Sequence, residues 1–241
     1  MFVSTTNQLP LQTLFPGHDL NATLFAALDA LIHGSEDKGE SGLMRREFTR
    51  SDGVPMRIAL CGIDASGEPS DVVKKFVRQS PFAASLIPTY GRGISAKQAP
   101  MALWTQAKGK SDDHFVFTKG KAGDPPGLMI DTNYWKTNFH RALALPYENK
   151  GSASIYKVEN PEHWRRFSEA CHSERPREVT SEGRTVYEFG EPRPGTFNHD
   201  FDVAVACRVL ASKAGIRSIK AEPKKKSISL AALQAARNSR R

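Results

Sequence analysis

The sequence predicts an α/β fold in which a mixed central sheet is flanked by helices, and three observations carry that reading. Met56 to Gly67 is a strand-length apolar run, with Ile58, Ala59, Leu60, Cys61 and Ile63, that ends in the carboxylate of Asp64 and a glycine turn. Such a run suits a strand covered on both faces. Patterns of strand and helix then alternate along the chain, as a sheet layered with helices requires. Finally, a late helix from about Asn198 to Ala214 is apolar nearly all round, Asp202 and Arg208 being its only charges between Phe201 and Ala211. A helix of that composition is buried on most sides.

A chain of 241 residues, 39% hydrophobic and 25% charged, suits one globular domain with appendages. No apolar run approaches the length of a membrane span, and no secretory signal follows Met1. Cys61, Cys171 and Cys207 are far apart with no C-x-x-C spacing, which argues against a disulfide framework and a zinc site and fits a reducing cytoplasm. The formal net charge of +8 lies wholly in the tail: from Ser212 onward nine basic residues face Glu222 alone. The body is neutral overall, so a basic end rather than a basic groove is what the composition shows.

The predicted organisation is an irregular lead-in over 1–17, a domain over 18–215 and a basic tail with a short amphipathic helix over 216–241. Asp19 opens a helix through Leu24, Phe25, Leu28, Leu31 and Ile32, with Gly34 as its stop. Leu43 to Arg50 reads as a strand, and the Asp52-Gly53 turn leads to pairing with the central strand. Pro69 to Arg78 starts a helix with Val72, Val73, Phe76 and Val77 on one face. Ser85 to Gly91 reads as a short strand that breaks at Pro88, before a basic loop with Arg92 and Lys97. Phe115 to Phe117 and Leu128 to Asp131 are further strands, and Asp131 or Thr132 caps a helix with Trp135, Phe139 and Leu143 along one side, Lys136 and His140 beside them. Ser154 to Val158 reads as a strand, Asn160-Pro161-Glu162 as a helix start, and Glu178 to Phe189, broken at Glu182-Gly183, as a hairpin.

Two acids stand out for chemistry. Asp64, between Gly62 and Gly67, sits among small residues where an ion or a phosphodiester can approach the backbone; a turn or helix cap is the competing reading. Helical spacing aligns Asp202 with Asn198, Val205, Ala206 and Val209, on an apolar face where a carboxylate needs a partner. A metal ion, a nearby arginine or the helix's own first amides would serve. A strand-end and a helix-borne aspartate in an alternating chain resemble the acidic cluster of ribonuclease H-like nucleases. In such a cluster, carboxylates hold divalent cations that activate water and stabilise the leaving oxygen of a phosphodiester.

The wording and order of the motifs extend the resemblance. The chain resembles the carboxy-terminal nuclease part of the lambda-type phage terminase large subunit (GpA family) over roughly residues 20 to 215. The match runs through Gly62-Ile63-Asp64-Ala65-Ser66-Gly67, then Ile87-Pro88-Thr89-Tyr90-Gly91, then Asp131-Thr132-Asn133-Tyr134-Trp135-Lys136, and Asn198-His199-Asp200-Phe201-Asp202. It implies a ribonuclease H-like nuclease fold, Mg2+ or Mn2+ as cofactor, and double-stranded DNA as substrate. By the same resemblance the terminase small subunit and the portal protein are partners, and the host cytoplasm is the place of action. It also implies Asp64 and Asp202 as metal ligands, with Asp200 as a further candidate ligand, and Lys136 near the scissile phosphate. Arg92, Lys97, Lys224, Lys225 and Lys226 are candidate DNA contacts.

Two departures shape the expectation. No G-x-x-x-x-G-K-[ST] phosphate loop occurs, so ATP hydrolysis would fall to an upstream ATPase-bearing chain. The family's first nuclease strand, with its metal-binding aspartate, has no counterpart before the first helix, so a fold incomplete at its amino terminus is expected; Asp200, His199 or Asp71 are the substitutes in reach. The alternative is a truncated, inactive fragment that binds DNA or portal. A resolvase or transposase is a weaker rival, since no site-specific DNA-reading module is evident.

Overall fold

The computed structural model describes residues 19–35, 39–50, 52–104, 114–147, 149–155, 160, 162–190 and 196–216, together with positions 13 and 17. Its centre is a four-stranded mixed sheet in the order β5-β6-β8-β7, formed by β5 (Cys61–Asp64), β6 (Leu86–Arg92), β8 (Gly127–Asp131) and β7 (Phe115–Thr118). Strands β5, β6 and β8 are parallel, and β7 closes one edge antiparallel to β8. Three two-stranded pieces lie outside it: β1 (Gly34–Ser35) with β2 (Glu40–Ser41), β3 (Phe48–Thr49) with β4 (Pro55–Met56), and the hairpin β9 (Pro176–Ser181) with β10 (Arg184–Phe189).

Helices cover both faces, as side chains that alternate along each strand demand. On one face α3 (Thr132–Ala144), α4 (Glu162–Ser173) and α5 (His199–Lys213) bury Trp135, Phe139, Phe167, Phe201, Val205 and Val209 with Ile87, Leu128 and Ile130 of the sheet. On the other, α1 (Leu20–Ile32) and α2 (Ser70–Gln79) bury Ile32, Val73, Phe76 and Val77 against Leu86. Leu86 and Ile87, adjacent in β6, thus serve opposite cores.

Most predicted elements form where the patterns place them. Asp19 caps α1 by accepting the Ala22 N–H at 2.8 Å, and Asp131 caps α3 by accepting the Tyr134 N–H at 3.2 Å. The hairpin turns at Glu182 and Gly183, whose positive φ values of 51° and 74° suit a tight turn between twisted strands.

Four expectations need correction. The segment Leu43 to Arg50 forms a strand only at Phe48–Thr49, and it pairs with Pro55–Met56 rather than with the central strand. The strand expected at the centre is short, Cys61–Asp64, only partly buried, and lies at an edge of the sheet with the parallel β6 as its neighbour. Pro88 does not break β6: the Cys61 and Ala65 N–H groups donate to Ser85 and Thr89, while pairing with β8 begins only at Thr89. The missing proline donor therefore interrupts neither ladder. The late helix is less enclosed than its composition implies, since Val203 and Cys207 are exposed. Ser154 and Ile155 are not in a strand, and 156–159, the lead-in before Asp19 (positions 13 and 17 apart) and the tail from 217 lie outside the described residues.

Candidate active site

Asp64 stands exposed at the carboxy-terminal end of β5, the edge of a parallel sheet at which α/β folds place their ligands. Its Oδ1 accepts the Ser66 N–H at 3.0 Å, and Gly67 follows at a φ of 77°, so a tight turn fixes the carboxylate. Among the described residues its Oδ2 has no partner.

α5 packs closely on β5 at Gly62, where a Cβ would lie 3.1 Å from both Leu210 Cδ1 and Thr89 Cγ2, tighter than ordinary contact. Asp202 lies two turns before Leu210 on that helix, and its side chain keeps 44% of its surface exposed. Its Oδ1 forms an ion pair with Lys136 Nζ at 2.9 Å, while Oδ2 has no partner among the described residues.

Lys136 is the hub of this side of the site. Only 7% exposed, its ammonium reaches both oxygens of Glu174 at 2.7 Å as well as Asp202. Glu174, 4% exposed, also accepts from Asn198 Nδ2 at 2.6 Å. Phe201 and Phe189 flank the ammonium at 5.4 and 5.9 Å from their ring centres. Burial first, and the charge of Glu174, hold the Asp202 carboxyl above the usual carboxylate range, against the opposing pull of Lys136 and His199. One turn after Lys136, His140 packs on Phe201 and Phe189, and burial lowers its basicity. Beside this cluster opens a cleft of about 460 Å³ lined by Ser95, Asn133, Lys136, Glu174, Glu188 and Asn198. Asn133 secures its wall by accepting the Phe189 N–H at 3.2 Å and donating to Ile94 O at 3.4 Å; Glu188 accepts the Ala96 N–H at 2.9 Å.

Of the residues singled out in the sequence, the structure joins Lys136 to Asp202 directly. Asp64 belongs to its own turn, and it is not among the charges that act on Asp202. Asp200 is paired with Arg166 at 3.0 Å, and Asp71, at the surface, faces Lys74 at 3.7 Å. Arg92 lies over the Trp104 ring at 5.1 Å, and Lys97 is exposed. Lys224, Lys225 and Lys226 lie outside the described residues. Glu174 was not found in the sequence, where a charge just past a helix reads as solvated. The usable signal was Lys136 itself: an ammonium on the apolar side of α3 demands a buried acid from elsewhere.

Magnesium is commonly held by one or two carboxylates, completed by water and substrate phosphates. The free oxygens of Asp64 and Asp202 are donors of that kind. A preformed cage is not there: among the described residues no three of His, Cys, Asp or Glu are arranged to hold an ion. No helix among them is long and apolar enough to cross a membrane.

No curated protein and no solved structure matches the chain. The family model described as terminase large subunit gpA, endonuclease domain, matches residues 36–223, more than three quarters of the 241 residues. The chain therefore belongs to the gpA endonuclease-domain family of terminase large subunits.

Proposed function

We propose that the chain is a divalent-metal-dependent endonuclease of the ribonuclease H-like kind that cuts concatemeric viral DNA during packaging in the host cytoplasm. Family membership supports the nuclease class. The observation that carries the site is the pair of unshared carboxylate oxygens, one at the end of β5 and one on α5, the helix that packs on that strand at Gly62. Asp64 and Asp202 would hold Mg2+ or Mn2+, which supplies an activated water and charge for the leaving oxygen when bound. Asp200 already has a cationic partner in Arg166.

The protein's own residues have separate tasks. Asp64 presents an accessible carboxylate fixed by its turn. Lys136 holds one oxygen of Asp202 and leaves the other without a partner among the described residues. The cleft walls carry Glu174 and Glu188 against Lys136, a lining that repels bare phosphate, so DNA is accepted there with its cations. Arg92 and Lys97 near the strand ends, with Lys224, Lys225 and Lys226 of the tail, neutralise backbone phosphates. The small subunit, the portal and an ATPase-bearing upstream chain are the partners this role requires.

Plasmid nicking with Mn2+ tests the reading. Wild type should nick, and Asp64→Ala and Asp202→Ala should each abolish it; equal inertness of all three would contradict it. The lack of a three-ligand group among the described residues favours one alternative, a non-catalytic subunit that binds DNA or portal through its basic end. Deleting 216–241 would then remove binding, with no cleavage at any stage.

A further inference from the structure

We infer that Glu174 is a positioning residue of the cleavage site: it clamps the Lys136 ammonium so that the ion pair of that group with Asp202 holds the carboxylate in its working orientation. The inference rests on the nuclease reading above and extends it to a residue the motifs did not mark.

An ammonium has three N–H bonds. They diverge tetrahedrally, so the two oxygens of Glu174, both 2.7 Å away, share one side of the ammonium, and Asp202 Oδ1 is its ion-pair partner at 2.9 Å. Lys136 is only 7% exposed and both its charged partners are acids, so it acts through Asp202 rather than as an open phosphate contact. Glu174 follows the last residue of α4, where the helix's carbonyl end disfavours an anion, so a buried carboxylate there persists only with strong donors. Its second donor is Asn198, the cap of α5 and one turn before Asp202. A single carboxylate thus joins the end of α4, the second turn of α3 and the start of α5. Those are the three elements that determine where the Asp202 side chain sits. A flexible four-carbon lysine stem does not fix its own end. With Glu174 neutral or absent, Lys136 would follow Asp202 in several orientations and catalysis would lose its geometry.

The test uses the full chain in two measurements. In the first, lysine side chains carry 15N and the ammonium signals are read by NMR at neutral pH. One slowly exchanging signal is expected, absent in Lys136→Met, which assigns it, and lost in Glu174→Gln. In the second, Mn2+-dependent nicking is followed kinetically. Glu174→Gln should lower kcat more than about tenfold with KM for DNA within about twofold of wild type. In a Lys136→Met background the same change should alter kcat less than about threefold, because its effect runs through the lysine. The double variant also buries no unpaired charge at this pair, so a folding defect of Glu174→Gln alone does not decide the outcome. A protected ammonium that survives Glu174→Gln, or equal losses of kcat in the two backgrounds, overturns the inference. A wild-type chain that binds DNA without nicking it overturns the nuclease reading alone, because the ammonium signal still reports the clamp.

Discussion

The two acidic ends of this molecule are built in opposite ways. Asp64 is exposed and held by one bond within its own turn, whereas Asp202 is anchored through a buried lysine to a network across three helices. Surface acids of the first kind are free to meet a ligand and contribute little to the fold. A buried ion pair of the second kind is costly to break, since removing one partner strands the other. Reach and orientation thus come from different elements: the strand end presents an open carboxylate, and the helix one whose direction is set.

The contrast should be widest in stability. Lys136→Ala leaves Glu174 buried without its main cation and should cost about 3–5 kcal/mol in denaturant unfolding. Asp64→Ala loses one exposed turn bond and should cost less than about 1 kcal/mol while abolishing nicking. Similar losses for both would erase the distinction. Gly62→Val attacks the link between the two regions: its methyl groups press on Leu210 and Thr89, and about 1–3 kcal/mol of overpacking should accompany a drop in nicking.

A smaller effect is expected where Asp200 meets Arg166 at the partly exposed start of α5. Asp200→Asn should change stability by less than about 1 kcal/mol, and nicking that survives it would remove Asp200 from the ligand set. The smallest effect is a slope with pH. Because the folded state holds the Asp202 proton more tightly than the unfolded chain does, this group favours the fold at acid pH. The contribution is lost as pH rises from the ordinary aspartate range through the raised value. Asp202→Asn should flatten unfolding free energy across that window, and an unchanged slope would deny the burial of its carboxyl.

Local pattern reached the frame of the molecule and not its cross-links. Capping acids and one-sided apolar faces marked α1, α2 and α3, since those signals lie within a few residues of each other. Pro88 misled because its fit depends on where β8 joins β6, a register no short window contains. Phe48–Thr49 pairs across the Asp52-Gly53 turn with Pro55–Met56, while β5 pairs with the parallel β6 that follows α2. Asp64 and Asp202 were legible as acids in unusual settings. Glu174 was not, because only the fold shows that a polar residue past α4 faces inward onto Lys136.

The proposed site requires Asp64 and Asp202 to serve one cation. Iron(II) bound in place of magnesium, with ascorbate and peroxide, cuts the polypeptide beside the ion it occupies. In the full chain with DNA, cuts are predicted near both residue 64 and residue 202, suppressed together by excess Mn2+ and by either alanine substitution. Cuts confined to one of the two segments, or cuts at one that persist when the other aspartate is removed, would contradict the account.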